Sequence, residues 1–301
     1  MESRMQGTSF GWGLAACVVL VLLAAGGCSE APLEPSQAAQ PAVSEIGRRF
    51  HAADCGAIDG QVLWQGALPK VEHFEVLPNP LAGEVMHHKQ TRPNPNLPHI
   101  DPNTQGMASA VVFLRHVNPL RSKPWDQPPV QIEQRDCQFH VLQGGTDSHY
   151  GFARRGARVC MLSRDRFLHM LQARGAAFFS LAFPDPDQPL DRALTACGIT
   201  ELTSGAGYYW MRAYLFLVEH PYYTRTDPQG HFEIKKIPAG NYEVVCWHPN
   251  WIKARHERDP ESGLIFRYYF QPAAEQVRTV VLGAGDRLKC RFHLSRADFS
   301  R

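Results

Sequence analysis

Short runs of alternating or β-branched residues recur along this chain between turn signals that contain glycine and proline. In residues 57–69, for example, an alternating run of apolar and polar residues is closed by Gly66 and Pro69. A period of two indicates half-buried strands of antiparallel sheets, and helical periodicity is scarce. Residues 43–53 and 190–196 are the two segments whose pattern is compatible with a helix. We therefore predict an all-β fold built from antiparallel β-sandwiches.

The 301-residue chain has a formal net charge of +2, and its basic residues do not gather in runs. This length is sufficient for one large domain or two modest domains with proper cores. Binding to nucleic acid relies on a concentrated field of one sign, which this charge distribution does not supply. We therefore expect no nucleic-acid partner.

An uncharged apolar stretch at residues 14–25 follows Arg4 and ends in small residues. It is too short to span a bilayer comfortably and is typical of a signal peptide. Its end, Leu-Ala-Ala-Gly-Gly-Cys at residues 23–28, resembles the lipobox of bacterial lipoproteins. The resemblance implies that Cys28 is acylated and anchors the chain stably to a membrane. The alternative is ordinary secretion, with Cys28 merely near the cleavage site.

We expect residues 1–28 to be this signal peptide with its lipobox, and residues 29–54 to be a tether. Residues 29–43 are rich in Ala, Pro, Ser and Gln and show no apolar periodicity that would drive folding. The expected location is the bacterial cell envelope, extracytoplasmic and lipid-anchored, at the periplasmic face or the outer membrane.

Beyond the signal peptide the chain contains six cysteines, namely Cys55, Cys137, Cys160, Cys197, Cys246 and Cys290. Export implies an oxidising compartment, but six cysteines allow fifteen pairings and the sequence does not choose among them. Cys246 and Cys290 lie on predicted strands of one sheet region and form a candidate pair. The alternative is buried thiols, which behave as small hydrophobes.

The stretch at residues 205–227 reads GAGYYWMRAYLFLVEHPYYTRTD. It contains Trp210 and Met211 before a β-patterned run and then His-Pro-Tyr at residues 220–222, and its last two residues begin the motif Thr-Asp-Pro-Gln-Gly-His-Phe at residues 226–232. This succession resembles the metal loop and following strands of methylamine-utilisation-type cupredoxin-like proteins.

Further motifs upstream extend this resemblance. Residues 155–169 contain Gly-x-x-Val, Ser-x-Asp and His in succession, and Cys-Gln-Phe stands at residues 137–139. The resemblance runs through roughly residues 107–251. It implies a Greek-key cupredoxin-like sandwich, which we place at residues 107–219.

The resemblance also implies a copper site, in which a thiolate and two imidazoles surround the metal and a thioether binds weakly. On the family's pattern His169 takes the place of the first imidazole and Met211 that of the thioether. Gly205 stands in the thiolate place and Tyr208 in the second imidazole place. One imidazole and a thioether make a poor copper(II) site. We therefore expect a degenerate site without metal, and no cofactor.

A second resemblance depends on turn residues. Residues 57–69 resemble the opening strand of a carboxypeptidase-regulatory-like domain, a transthyretin-like β-sandwich, and residues 226–234 and 237–244 resemble its signature hairpin. Asp-Pro-x-Gly and Pro-x-Gly supply a preset φ and a residue that tolerates positive φ. Residues 55–106 should hold the first strand or strands and a proline-rich loop, and residues 220–301 should complete the sandwich. The cupredoxin-like unit is then an insertion.

Seven histidines are candidates for a metal cluster if the fold brings their loops together, namely His87, His88, His99, His140, His149, His169 and His248. The alternative is that they are solvated or hydrogen-bonded individually. The sequence contains neither a Gly-x-Ser-x-Gly elbow nor a His-Glu-x-x-His motif. We therefore expect no enzymatic activity.

These observations predict a lipid-anchored, extracytoplasmic binding or envelope-assembly module without catalytic activity. Its partners would be the membrane, through the N-terminal lipid, and a protein or carbohydrate ligand. One alternative is a copper-binding or electron-transfer protein, which the cupredoxin resemblance implies for an intact ligand set. The other is a carbohydrate-binding accessory protein, because regulatory-like sandwiches accompany carbohydrate-active enzymes and neighbouring aromatics such as Tyr208 and Tyr209 can stack on sugars.

Overall fold

The computed structural model describes residues 50–76 and 90–300, which all belong to one compact unit spanning Pro41–Arg301. Their regular structure is β-strand apart from three short 3-10 helices at Ala52–Asp54, Pro119–Arg121 and Arg296–Phe299. The predicted all-β fold class is thereby confirmed. Cys28, His87 and His88 lie outside the described residues.

Two five-stranded sheets form the sandwich that we call the central sandwich. Its first sheet has the order β10 (Tyr150–Arg154), β16 (Arg212–Val218), β15 (Gly198–Ser204), β12 (His169–Gly175) and β13 (Phe179–Phe183). Its second sheet has the order β14 (Leu190–Ala193), β11 (Arg158–Ser163), β7 (Gln131–Arg135), β8 (Gln138–Gln143) and β9 (Thr146–Ser148).

Alternation along the strands fills the core of the central sandwich. Every second residue of β8 is buried, as the period of two predicts. Leu171 and Leu215 from the first sheet pack in one apolar cluster with Ile132 and Met161 from the second, and all four are fully buried. Burying a side chain of this size contributes about 2 kcal/mol. The two sheets are therefore held face to face by their inward-pointing residues.

A second sandwich, here the terminal sandwich, combines strands from both ends of the described chain. One sheet has the order β18 (His231–Pro238), β1 (Cys55–Gln65) and β23 (Arg287–Ser295). The other has the order β17 (Tyr223–Arg225), β6 (Val111–Arg115), β19 (Gly240–His248) and β22 (Ala274–Leu282). Ile58, Val112, Val244 and Phe292 bring both sheets into one buried core.

An aromatic layer joins the two sandwiches. Phe113 and Trp247 from the terminal sandwich contact Phe216 of the central sandwich, with ring centroids 6.3 Å and 5.2 Å apart. Phe152 lies 5.7 Å from Phe216 within the same cluster. Because these rings are buried between the sheets, the sandwiches share an apolar interface rather than a mobile linker.

Three two-stranded ladders complete the described structure, namely β2 (Phe74–Val76) with β3 (Gln90–Arg92), β4 (His99–Ile100) with β5 (Met107–Ala108), and β20 (Lys253–Arg258) with β21 (Ile265–Phe270). No helix in the described ranges has both the length and the apolar character needed to cross a membrane.

Two sequence expectations need correction. Residues 190–196 do not form a helix, since Leu190–Ala193 pairs with β11 as an edge strand. β6 pairs with β17 and β19, so it belongs to the terminal sandwich although it follows the expected boundary at residue 107. The central sandwich therefore begins at β7 and is inserted between β6 and β17.

Of the two alternatives for Cys246 and Cys290, the structure shows buried thiols. Cys246 and Cys290 lie in the same buried core but remain thiols, and no disulfide joins any of the six cysteines of the described chain. Burial raises the pKa of both thiols, more strongly for Cys246. They therefore act as small core residues in this structure.

Candidate functional site

His169 opens strand β12 and is completely buried. Its Nε2 lies 2.8 Å from Oδ2 of Asp165. Burial alone would raise the pKa of the Asp165 carboxyl, but hydrogen bonds from His169 and from the amides of Cys137 and Asp136 outweigh it and lower that pKa. The carboxylate is therefore held in its charged form beside the imidazole.

The Asp165 carboxylate also accepts hydrogen bonds from the turn between β7 and β8. The backbone amide of Asp136 donates to Asp165 Oδ1 at 2.9 Å, and the amide of Cys137 donates to Oδ2 at 3.1 Å. Both turn residues have positive φ, 52° at Asp136 and 54° at Cys137. Two successive positive φ values are typical of a type I′ hairpin turn, a position that favours Asn, Asp and Gly. A cysteine there is unusual.

This arrangement gathers three metal-ligating groups. One ligand atom each from Cys137, Asp165 and His169 lies within 4.8 Å of the other two. Cys137 is 3% exposed, and the Nδ1 atom of His169 is buried without a hydrogen-bond partner among the described residues. Of these three residues, the sequence analysis assigns only His169 to a metal site. It uses the Ser-x-Asp motif that ends at Asp165 only as part of the family resemblance.

The loop before β16 packs against this cluster. The Tyr208 ring lies 5.1 Å from the His169 ring and 5.6 Å from Trp210. The Trp210 indole donates to the carbonyl oxygen of Cys137 at 2.8 Å, and the amide of Met211 donates to the Tyr208 carbonyl at 2.9 Å. His169 and Tyr208, which stand at two of the four ligand places, are therefore in contact, and aromatic rings cover the site.

Gly205 lies close to the side-chain ends of Gln172 and Met170. A Cβ atom at this position would lie 2.8 Å from Nε2 of Gln172 and 2.9 Å from Sδ of Met170. Both distances are shorter than side-chain contacts normally are. With one imidazole and no loop thiolate, the residues at the four matched places do not fit a type 1 copper ion.

Away from this pole, four of the seven candidate histidines meet in one cavity of about 300 Å³. They come from four segments: His99 from β4, His140 from β8, His149 from the loop before β10, and His248 from the end of β19. Four of the candidate histidines thus line one cavity, but among the described residues they do not form a cluster with metal-ligand spacing. His169 is buried elsewhere, in the cluster with Cys137.

Three of these histidines, His140, His149 and His248, use their Nδ1 atoms in hydrogen bonds. Nδ1 of His140 lies 2.8 Å from Asp147 Oδ2, and Nδ1 of His248 lies 2.8 Å from the Pro249 carbonyl oxygen. Nδ1 of His149 lies 3.2 Å from the carbonyl oxygen of Arg212. Because a carbonyl only accepts, the neutral rings of His149 and His248 carry their proton on Nδ1 and leave a lone pair on Nε2.

Burial keeps two of these rings uncharged. It lowers the pKa of His248 to about 4, and it lowers the pKa of His149 as well. Both imidazoles are therefore neutral at pH 7. Apolar side chains complete the wall of the cavity at Leu97, Phe139 and Tyr150.

The aromatic clusters noted in the sequence pack mainly on one another. Tyr268 stacks on Phe74 with centroids 5.1 Å apart, and Tyr209 meets Phe74 edge-on at 5.7 Å. The Tyr209 hydroxyl donates to the Glu75 carbonyl oxygen at 2.7 Å. Trp247 and Trp251 are buried. These rings form core and interface in this structure rather than open stacking platforms.

No protein-family model matches the chain, and no curated protein matches it. Among solved structures, the purple cupredoxin from Nitrosopumilus maritimus is 14% identical, with a TM-score of 0.24 over 29% of this chain and 98% of that one. A mutant of amicyanin is 11% identical, with a TM-score of 0.22 over 30% of this chain and 82% of that one. A haem-copper terminal oxidase is 13% identical over 35% of this chain and 79% of that one, with a TM-score of 0.24. These partial similarities concern fold alone.

Proposed function

We propose that this chain is a lipid-anchored, extracytoplasmic binding protein without catalytic activity, and that it holds its ligand in the histidine-lined cavity. The observation that carries this proposal is the convergence of four histidines from separate segments on one cavity. On this proposal the cupredoxin-like sandwich has lost its blue-copper function and serves as a scaffold. The terminal sandwich is proposed to be the regulatory-like domain suggested by its turn motifs.

The contacts around the cavity favour binding over nucleophilic catalysis. Ser148 lines the cavity beside His149, but its hydroxyl donates to the Tyr150 carbonyl oxygen at 2.8 Å and accepts from the Arg225 guanidinium at 2.7 Å. A serine nucleophile instead needs a base within hydrogen-bond reach. The hydroxyl is therefore part of the wall.

The chemistry of the wall indicates the class of ligand. Neutral imidazoles of His149 and His248 present Nε2 lone pairs, which accept hydrogen bonds. Leu97 and Phe139 offer apolar contacts beside them. A small molecule with several hydroxyl or amine donors could donate to the Nε2 atoms, and an apolar face on the same molecule could contact Leu97 and Phe139. Sugars are therefore included among the candidate ligands.

Filling the cavity should abolish binding. Gln138 lines this cavity and the adjoining one of about 190 Å³, and we expect Gln138→Trp to occupy the space. Ligand-observed NMR with neutral monosaccharides and small primary amines should show binding to the wild type that falls at least about tenfold in this variant, which corresponds to about 1.4 kcal/mol. Arg291→Trp, at an exposed position of β23, should bind as the wild type does. The proposal is wrong if no probe binds or if Gln138→Trp binds equally well.

Copper(II) should not produce a blue centre. Gly205 and Tyr208 stand where a thiolate and an imidazole are required, so the loop itself should give no intense thiolate-to-copper charge-transfer band. Titration of Cys137→Ser, which removes the thiol nearest to the loop, should therefore show no such band in the visible spectrum. A strong band with one copper per chain in that variant would instead favour the electron-transfer alternative.

Acylation of Cys28 should decide where the protein is found. Wild-type protein expressed in a bacterium should partition into detergent, because more than one acyl chain gives stable anchoring. Cys28→Ser should remain an uncleaved precursor without lipid, which mass spectrometry would detect. Equal solubility of both proteins after processing would refute the lipid anchor.

A further inference from the structure

We propose that Cys137, Asp165 and His169 bind a divalent transition-metal ion of the zinc type. This site goes beyond the proposed ligand cavity and uses none of the residues in its wall. It also differs from the four-ligand copper site that the loop motif implies, because its sulfur comes from the β7–β8 turn and its oxygen from a carboxylate.

The three donors suit zinc chemically. Zinc is bound by Cys sulfur at about 2.3 Å, by His nitrogen at about 2.0 Å and by Asp oxygen at about 2.1 Å, usually in a tetrahedron. Such bond lengths place donor atoms roughly 3.5 Å apart, and the three atoms here lie within 4.8 Å of one another. The donor atoms are therefore close to the spacing that a bound zinc ion requires.

Charge balance also favours a divalent ion. A Cys137 thiolate beside the Asp165 carboxylate would bring two negative charges together where Cys137 is 3% exposed and His169 is 0% exposed. Buried charges persist when they are paired or coordinate a metal. A divalent cation neutralises both, and the thiol proton leaves to solvent as the metal binds.

His169 offers the metal its Nε2 atom. Metal binding there would replace the proton now held between Nε2 and Asp165 Oδ2, which are 2.8 Å apart. Both atoms would then bind the same ion.

Backbone geometry at Cys137 gives an independent indication. Its φ of 54° is left-handed, a conformation that disfavours a β-carbon. Asp-Gly would be the favoured sequence for such a turn. Residues held in unfavourable backbone regions cluster at binding and active sites, and here the strained residue is the one that carries the thiol.

The test is titration of chelator-treated, metal-free protein with Zn²⁺ by calorimetry. We expect one zinc per wild-type chain. Affinity should fall about a hundredfold or more in Cys137→Ser and in His169→Gln, and about tenfold to a hundredfold in Asp165→Asn. Because His169 is a core residue, Cys137→Gly provides a variant that favours the turn and should remain folded while losing zinc.

Co²⁺ supplies a spectroscopic check. A thiolate-to-cobalt charge-transfer band should appear in the wild type, persist in the control Cys160→Ser and disappear in Cys137→Gly. Full zinc affinity in both Cys137 variants, or a cobalt complex without a thiolate band, would overturn the site. His99→Ala distinguishes the two proposals, because it alters the ligand cavity and should leave zinc binding at Cys137 unchanged.

Discussion

Acidification from pH 7 to pH 5 should lower the free energy of unfolding by about 4 kcal/mol. Burial lowers the pKa of His220 to about 4 and, to a similar extent, that of His248. An unfolded histidine titrates near 6.5, so between these values the unfolded chain takes up protons that the native chain does not. Each of the two histidines then contributes about 2 kcal/mol of destabilisation at pH 5.

The sign and the pH window both follow from these pKa values. Above pH 7 both states carry neutral imidazoles and the effect vanishes, whereas below pH 4 the native rings protonate and the loss levels off. Most carboxyl groups remain charged at pH 5, which keeps their contribution small. Urea unfolding followed by tryptophan fluorescence at the two pH values measures the difference.

One variant at the half-buried His220 and one at the exposed His116 test this assignment. His220 packs on Tyr222 and Tyr223, with ring centroids 5.8 Å and 5.3 Å away, so His220→Phe keeps the ring contacts and removes the titration. It should halve the pH effect. His116→Gln, at a side chain that is 68% exposed, should leave the effect intact. An unchanged pH slope in His220→Phe would show that this buried histidine is not responsible.

A single methyl group at Gly60 should cost about 3 kcal/mol or prevent folding. Gly60 lies on β1, where a Cβ atom would stand 1.7 Å from the carbonyl oxygen of Cys290 and 2.8 Å from the Phe232 ring. The Cys290 carbonyl belongs to the neighbouring strand β23, so it cannot move without disturbing the ladder. Overpacking of this kind typically costs 1–3 kcal/mol and occasionally more.

Urea unfolding at pH 7 checks Gly60→Ala, with circular dichroism to establish whether the variant folds. Gln65→Ala is the matched control, because Gln65 ends the same strand with its side chain exposed. That change should stay within about 0.5 kcal/mol of the wild type. If Gly60→Ala were equally mild, the close approach of β1 and β23 would be wrong.

Strands were predictable where alternation and turn chemistry agreed. β8 follows the period of two along its whole length, and the Asp-Pro-x-Gly turn precedes β18 as expected. β14 was mistaken for a helix because the spacing of Leu190 and Leu194 suits one helix face. All four of its residues are exposed, so pairing with β11 decided its conformation rather than burial.

The candidate sites depended on pairings that the sequence does not display. β11 runs parallel to β7 with Ser163 opposite Gln134, and this register places Asp165 beside the β7–β8 turn. The contact between Asp165 and Cys137 spans 28 positions of the chain. His169 was found because it belongs to a recognisable motif, whereas its partners are defined only by strand register. The sequence likewise does not show that four separate segments bring histidines to the wall of one cavity.

The parallel pairing of β1 with β23 sets the order in which the chain can complete its fold. All strands of the central sandwich lie in one continuous stretch, so that unit can form while the rest of the chain is still being synthesised. Until β23 has been synthesised, one edge of β1 has no strand to pair with. An unpaired edge is a template for strands of other chains, so truncation before β23 should favour association between incomplete molecules.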